Sequence, residues 1–185
     1  MTDRRVLRPA TGTFWLVAVA VVVLFLLGDV VVRGSWAQAL LIAPWLLIPV
    51  WFVYVFLYAP HLEIGDEEVR VHNVLRTIAL PWSTVDDIVM RWQLEFHLTA
   101  DAAATGIGGR KGVIEAWSFS RRWGGTGRVR RRADDTEVTL DVMRGLHASV
   151  GRQPGARPTV SWDIPSLVAG AAVAAACVVS VIVAG

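Results

Sequence analysis

The sequence predicts a membrane protein with three transmembrane α-helices and one α+β domain, an antiparallel open barrel of short strands followed by a helix. Three observations predict it. Long apolar runs occupy residues 14–32, 39–59 and 164–184. Between the second and third lie about 100 residues whose apolar positions first alternate with polar ones and then recur at helical spacing. Of the 185 residues 54% are hydrophobic and only 18% charged, against roughly 25% charged in an average soluble domain.

The same composition removes several classes. Disorder requires low hydrophobicity. A disulfide scaffold or a cysteine-ligated zinc site fails on one cysteine, Cys177. With 18 Lys+Arg against 16 Asp+Glu, the chain lacks the basic excess of a nucleic-acid binder, and no nucleic-acid partner is expected.

Residues 1–13 read as a polar N-terminal tail carrying Arg4, Arg5 and Arg8. The run from Phe14 to Val32 is 19 residues with one acid, Asp29; the runs at 39–59 and 164–184 are 21 residues each without a charge. Twenty-one helical residues rise roughly 31 Å, the thickness of a hydrocarbon core. A domain of about 100 residues has no interior able to bury three such helices. Ala37-Gln38-Ala39 resembles a signal-peptide cleavage site. The first run is longer than a signal core, however, and a second membrane segment follows at once, so the run is read as an uncleaved helix. Asp29 and Arg33 are spaced to pair on one helix face near the interface. Pro44 and Pro49 each remove a backbone hydrogen bond and predict a kink in the second helix. Tyr58 suits an interfacial anchor, whereas Trp51 is central and expected to pack against a neighbour. In the third helix Ser166, Gly170 and Ala174 recur every four residues, a spacing that permits close helix–helix association.

Positive charge orients the chain. The tail carries three arginines, the first turn only Arg33, residues 60–163 carry 14 Lys+Arg, and the C-terminus carries none. The positive-inside rule then places the N-terminus and the large segment in the cytoplasm and the C-terminus outside a plasma membrane.

The domain spans 60–152. Short strands are expected over 61–119. Val69 to His72 alternates apolar and polar, Arg76 to Leu80 follows, Val85 to Met90 opens the next run, and Leu94, Phe96 and Leu98 share one face. Residues 101–112 form a glycine-rich loop. A basic loop covers 120–133, and a helix over 134–150 presents Val138, Val142, Met143, Leu146 and Val150 on one face. Residues 153–163 read as a Pro/Gly linker to the third membrane helix.

The run Val69-Arg70-Val71-His72-Asn73, Arg76, Leu80-Pro81-Trp82-Ser83, with Val85 and Ile88, resembles the bacterial pleckstrin-homology (PH) family, in particular the actinobacterial low-molecular-weight protein antigen 6 type. The resemblance covers about 90 residues including the helix. It implies a PH-like barrel used for binding rather than catalysis, with two apolar helices before it as in many members. Phosphoinositide-binding PH domains carry basic residues in the loop between their first two strands. Here that loop, Gly65-Asp66-Glu67-Glu68, is acidic, which argues against inositol-lipid binding.

No catalytic, cofactor or metal site is expected. His61, His72, His97 and His147 offer no pair at the helical i, i+4 spacing of metal ligands, and Cys177 sits in a membrane helix. Gly106-Ile107-Gly108-Gly109 and Gly124-Gly125-Thr126-Gly127 do not lie between a strand and a helix as phosphate loops do. Trp82 reads as a core or membrane-facing aromatic, with ligand stacking as the sharper alternative. The marked charge cluster is Arg121, Arg122, Arg128, Arg130, Arg131 and Arg132, six basic residues without an acid. Each would gain about 1 kcal/mol at an anionic membrane surface; otherwise they pair with Asp134, Asp135 and Glu137. The expected partners are the lipid bilayer and a second protein. The expected function is a membrane-anchored scaffold or adaptor that performs no catalysis. The alternative is a subunit of a transport or ion-conducting complex working through Asp29 and the kinked second helix.

Overall fold

Alternation of apolar and polar residues from His61 onward produces strands whose inner positions are sealed. The computed structural model describes residues 5–8, 10–120, 128–150 and 155–184. The strands are β1 (Arg5–Leu7), β2 (His61–Ile64), β3 (Glu68–Asn73), β4 (Arg76–Pro81), β5 (Val85–Met90), β6 (Gln93–Leu98), β7 (Val113–Ser120) and β8 (Thr159–Trp162). The helices are α1 (Ala10–Arg33), α2 (Trp36–Val53), α3 (Ala100–Ala103), α4 (Arg128–Ser149) and α5 (Ile164–Ala184). Contacts divide the chain into two units, one of Met1–Arg8 with His61–Ser161 and the other of Pro9–Pro60 with Trp162–Gly185.

In the first unit the strands form two sheets, one in the order β1-β2-β3-β4-β8 and one in the order β5-β6-β7. The core lies between them. It is built from Leu62, Ile64, Val69, Val71, Ile78 and Leu80 of the first sheet and Ile88, Leu94, Phe96, Ile114 and Ala116 of the second, with Leu140 and Met143 of α4. Trp82, on the 3-10 turn between β4 and β5, is wholly buried among them. Its indole N–H donates to the Gly65 carbonyl at 2.9 Å, and its backbone N–H donates to the Glu67 carbonyl at 3.0 Å. The tryptophan is therefore a core residue that also closes the β2–β3 turn.

Asn73 joins the two sheets. Its side-chain amide donates to the Glu115 carbonyl at 2.8 Å and its side-chain oxygen accepts from the Trp117 N–H at 3.0 Å. One side chain thus does what a ladder strand would do along β7. The hairpin that carries it is tight, and Leu75 is held at φ 58°, a conformation costing a bulky residue on the order of 1–3 kcal/mol. Replacing Asn73 with Leu leaves two backbone groups of β7 unpartnered, at about 1–3 kcal/mol. Each kcal/mol lowers the midpoint of a domain this size by roughly 4–8 °C. The expected result is a lower unfolding midpoint together with faster hydrogen exchange at the Trp117 amide. Unchanged exchange there would show that Asn73 does not hold the sheets together.

Several expectations are corrected in this unit. Residues 5–7 are not tail but strand: Arg5, Val6 and Leu7 pair with Ile64, Glu63 and Leu62, because β2 has an open edge and Leu7 packs against the core. Residues 159–162, read as linker, form β8 beside β4. The basic loop ends earlier than 133, since α4 starts at Arg128. Arginine is a good helix former and nothing between Arg128 and Arg144 breaks a helix. Within α4 the packed face runs through Leu140, Met143 and Leu146, while Val138 is exposed. Val138 lies five residues before Met143, roughly 140° around the helix. The glycine-rich segment 101–112 contains α3 and a 3-10 turn, and Gly106, Gly108, Gly109 and Gly112 all have positive φ, which explains the glycines. The strands predicted over 61–119 are present.

The edge of β5 is met from α4, where Arg144 donates to the Ile88 carbonyl at 3.2 Å and His147 Nε2 to the Val85 carbonyl at 2.8 Å. The outermost strands of the larger sheet, β1 and β8, are three and four residues long, and short edges resist pairing with other chains.

The second unit holds three helices long and apolar enough to cross a membrane: Thr11–Arg33, Trp36–Tyr58 and Ile164–Ala184. Their apolar side chains, Leu24, Phe25, Leu40, Ile182 and Val183 among them, face outward, as lipid-facing residues do. This is a membrane protein by that measure. Helix α1 begins at Ala10, four residues before the apolar run, and α2 continues past its two prolines into a π-helical turn at Tyr54–Tyr58. Helix α5 runs antiparallel to α2. Trp45 donates to Ser180 Oγ at 3.0 Å and Trp51 to the Ser166 carbonyl at 2.9 Å. A Cβ on Gly170 would lie 2.6 Å from the Trp51 ring, so Ser166 and Gly170 do form a close helix face and Trp51 has the neighbour expected of it. Ala174 is exposed. The face continues instead through Cys177 and Ser180, because a stripe repeating every four residues drifts around a helix of 3.6 per turn.

Candidate functional site

The arginine cluster singled out from the sequence is only partly placed. Arg121 and Arg122 lie outside the described residues. Arg128, Arg130, Arg131 and Arg132 fall on the opening turns of α4 by their backbone, so they are helical rather than strung along a loop. Asp29 and Arg33 form the expected i, i+4 pair at 2.6 Å. With Arg33 80% and Asp29 43% exposed, it is a helix-end pair. It sits beside Gly34 and Gln38 in an open groove.

Pairing of β2 with β3 assembles a group that spacing along the chain did not reveal. His61 stands directly across from His72 in the register, and Glu63 lies two residues along β2 on the same face. The imidazoles stack with centroids 3.9 Å apart and planes 9° from parallel. Glu63 Oε1 is 3.5 Å from Nε2 of both rings. The three donor atoms all fall within 4.8 Å of one another. Side-chain exposures of 13% for His61, 22% for Glu63 and 25% for His72 make the group reachable from solvent yet mostly shielded from it. Thr77, across from His72 on β4, places its Oγ1 2.9 Å from His72 Nδ1. Arg70, across from Glu63, is engaged by Glu68 at 2.7 Å. A sequence signal existed in the alternation itself. His61-x-Glu63 and His72 all occupy outward positions of adjacent strands, eleven residues apart through one tight turn.

His97 is placed differently. On the outer face of the smaller sheet its Nε2 lies 3.3 Å from Glu95 Oε2, which Arg91 Nε approaches at 3.9 Å. One histidine with one acid and an arginine is an ion-pair network rather than a ligand set. His147 is spent on the β5 edge.

Among the described residues of the strands and their turns, Trp162 on β8 is 61% exposed, and two further tryptophans stay outside the core at the smaller sheet. Trp92, in the β5–β6 turn, is 71% exposed, and Trp117, on β7, is 53% exposed. The β6–β7 register sets Leu94 against Ala116 and Gln93 against Ser120. Both tryptophans therefore lie at the same end of the smaller sheet. Arg91 adjoins Trp92, and the chain continues from β7 into Arg121, Arg122 and Trp123.

The chain matches no protein-family model, no curated protein and no solved structure.

Proposed function

We propose that the protein is a membrane-anchored adaptor whose PH-like β-domain binds a protein partner at the cytoplasmic face of the plasma membrane and performs no catalysis. The observation that carries this reading is the exposed pair Trp92 and Trp117 at one end of the smaller sheet. Tryptophan costs little conformational entropy when it docks and buries a large area, and with arginine it dominates the energetically decisive centres of protein interfaces. The core is filled by Trp82 and its neighbours, and both of these side chains lie outside it. The short or side-chain-capped sheet edges favour binding through side chains over addition of a partner strand. Cytoplasmic placement is supported by the arginine distribution, and the barrel by the run from Val69 to Ile88.

The test uses the full-length chain in membranes of its own host. A photoreactive amino acid at the exposed Glu115, two residues from Trp117 on the same face of β7, is expected to give one discrete protein adduct, and the same group at the exposed Asp101, beyond the opposite end of β6, none. The adduct should be lost, at least about ten-fold, when Trp92 or Trp117 is also replaced by Ala, since a central interface tryptophan contributes 2 kcal/mol or more. Crosslinks to lipid alone would instead make this end of the sheet a membrane-contact surface, and equal labelling at 101 and 115 would remove the adaptor reading.

A further inference from the structure

We propose that His61, Glu63 and His72 form a binding site for a divalent transition-metal ion, zinc by ligand preference, on the outer face of the larger sheet. The inference is independent of the adaptor reading and rests on the β2–β3 register.

Two imidazoles and one carboxylate are a ligand set suited to zinc, cobalt, nickel and copper rather than to magnesium or calcium, which take oxygen donors. Zinc binds imidazole nitrogen and carboxylate oxygen at about 2.0–2.2 Å. Two such donors 3.5 Å apart, the separation of Glu63 Oε1 from each Nε2, subtend an angle of about 115° at the ion, close to the tetrahedral value of a zinc site. The carboxylate is thus already at coordination spacing from both rings. The histidines are not yet splayed. Their rings are parallel at 3.9 Å, and nitrogen lone pairs lie in the ring planes, so an ion entering between them fans the imidazoles apart by rotation of their side chains.

The supporting shell is present. When Thr77 Oγ1 accepts from Nδ1–H of His72, the tautomer left at Nε2 carries a lone pair facing Glu63, which is the ligating form. Sheet backbone fixes all three Cα positions, because the two strands are hydrogen-bonded and their opposite faces are sealed into the core at Leu62, Ile64 and Val71. Arg70, opposite Glu63 in the register, is itself paired with Glu68 at 2.7 Å. Three protein ligands leave a fourth position for water or for a donor from a bound partner.

The experiment uses the full-length chain in detergent micelles, purified through a tag without histidine. Cobalt(II) serves as the spectroscopic probe and zinc as competitor. Addition of cobalt is expected to produce one equivalent of a visible d–d absorption band of tetrahedral intensity, which zinc abolishes. His72→Ala and Glu63→Gln should each weaken the apparent affinity at least ten-fold. Thr77→Val, which removes only the hydroxyl behind His72, should weaken it about ten-fold while the ligands remain. The band in the unsubstituted chain does not depend on any variant folding, and its absence at saturating cobalt overturns the proposal. So does a band that persists unchanged in both His72→Ala and Glu63→Gln.

Discussion

Replacing Trp82 with Ala is expected to unfold the β-domain while leaving the membrane helices in place. The side chain is wholly buried and holds the Gly65 carbonyl through its indole N–H. Removing a buried aromatic costs about 3–5 kcal/mol. Leaving the carbonyl without its donor adds about 1–3 kcal/mol. Domains of this size have about 5–15 kcal/mol in total, so most or all of the stability is lost. Limited proteolysis of the chain in membranes is the measurement. Cleavage should appear throughout 61–120 in Trp82→Ala under conditions where the parent is resistant, and the fragments of α1, α2 and α5 should stay with the membrane. Trp82→Phe keeps the ring volume in large part and loses the hydrogen bond, so it should fall between the two. An alanine variant as resistant as the parent would mean that the core does not depend on this residue.

A bulky residue at Gly12 should separate α1 from the π-helical end of α2. A Cβ there would lie 2.1 Å from the Leu57 carbonyl oxygen, 2.8 Å from its carbon and 2.9 Å from the Tyr58 Cα. All three are backbone atoms, so no side chain can swing aside. Overpacking that side chains can absorb costs about 1–3 kcal/mol. Here the helices themselves must part, and packing is the main force that joins helices in a bilayer. Gly12→Val is therefore expected to lower the unfolding midpoint of the helical unit in detergent by the upper end of that cost or more. Gly28→Val is the control, since a Cβ at Gly28 meets nothing within 4 Å, and its midpoint should match the parent. Equal midpoints for the two variants would refute the close approach at Gly12.

How much of this molecule is legible in its sequence divides along range. Apolar run length is a property of consecutive residues, so the three membrane helices could be read directly from Phe14, Ala39 and Ile164 onward. Strands from His61 to Phe119 were equally legible, because alternation is set by neighbours two apart. The i, i+4 pair of Asp29 with Arg33 was legible for the same reason. Pairing between distant segments is not a property of any window. Arg5–Leu7 and Thr159–Trp162 are too short to announce themselves as strands and became so only where β2 and β4 offered open backbone groups. Nothing near Asn73 in the sequence signals that its side chain bridges two sheets, since its partners Glu115 and Trp117 lie more than forty residues away. Small residues at Ser166 and Gly170 signalled a helix face, but its continuation through Cys177 and Ser180 rather than Ala174 follows from where α2 lies.

The candidate sites show the same division. Local composition alone determined that arginines concentrate at 121–132. That His61, Glu63 and His72 converge was decided by register: a slip of one residue between β2 and β3 would turn one member to the opposite face. The register in turn is held by Leu62, Ile64, Val69 and Val71 reaching a shared core. Likewise Trp82, Trp92 and Trp117 are the same residue type, and only the packed structure sorts the first into the interior and the other two to the surface. Burial depends on what the rest of the chain brings to each position, and the free energy of excluding water from a side chain exists only once those distant surfaces have met.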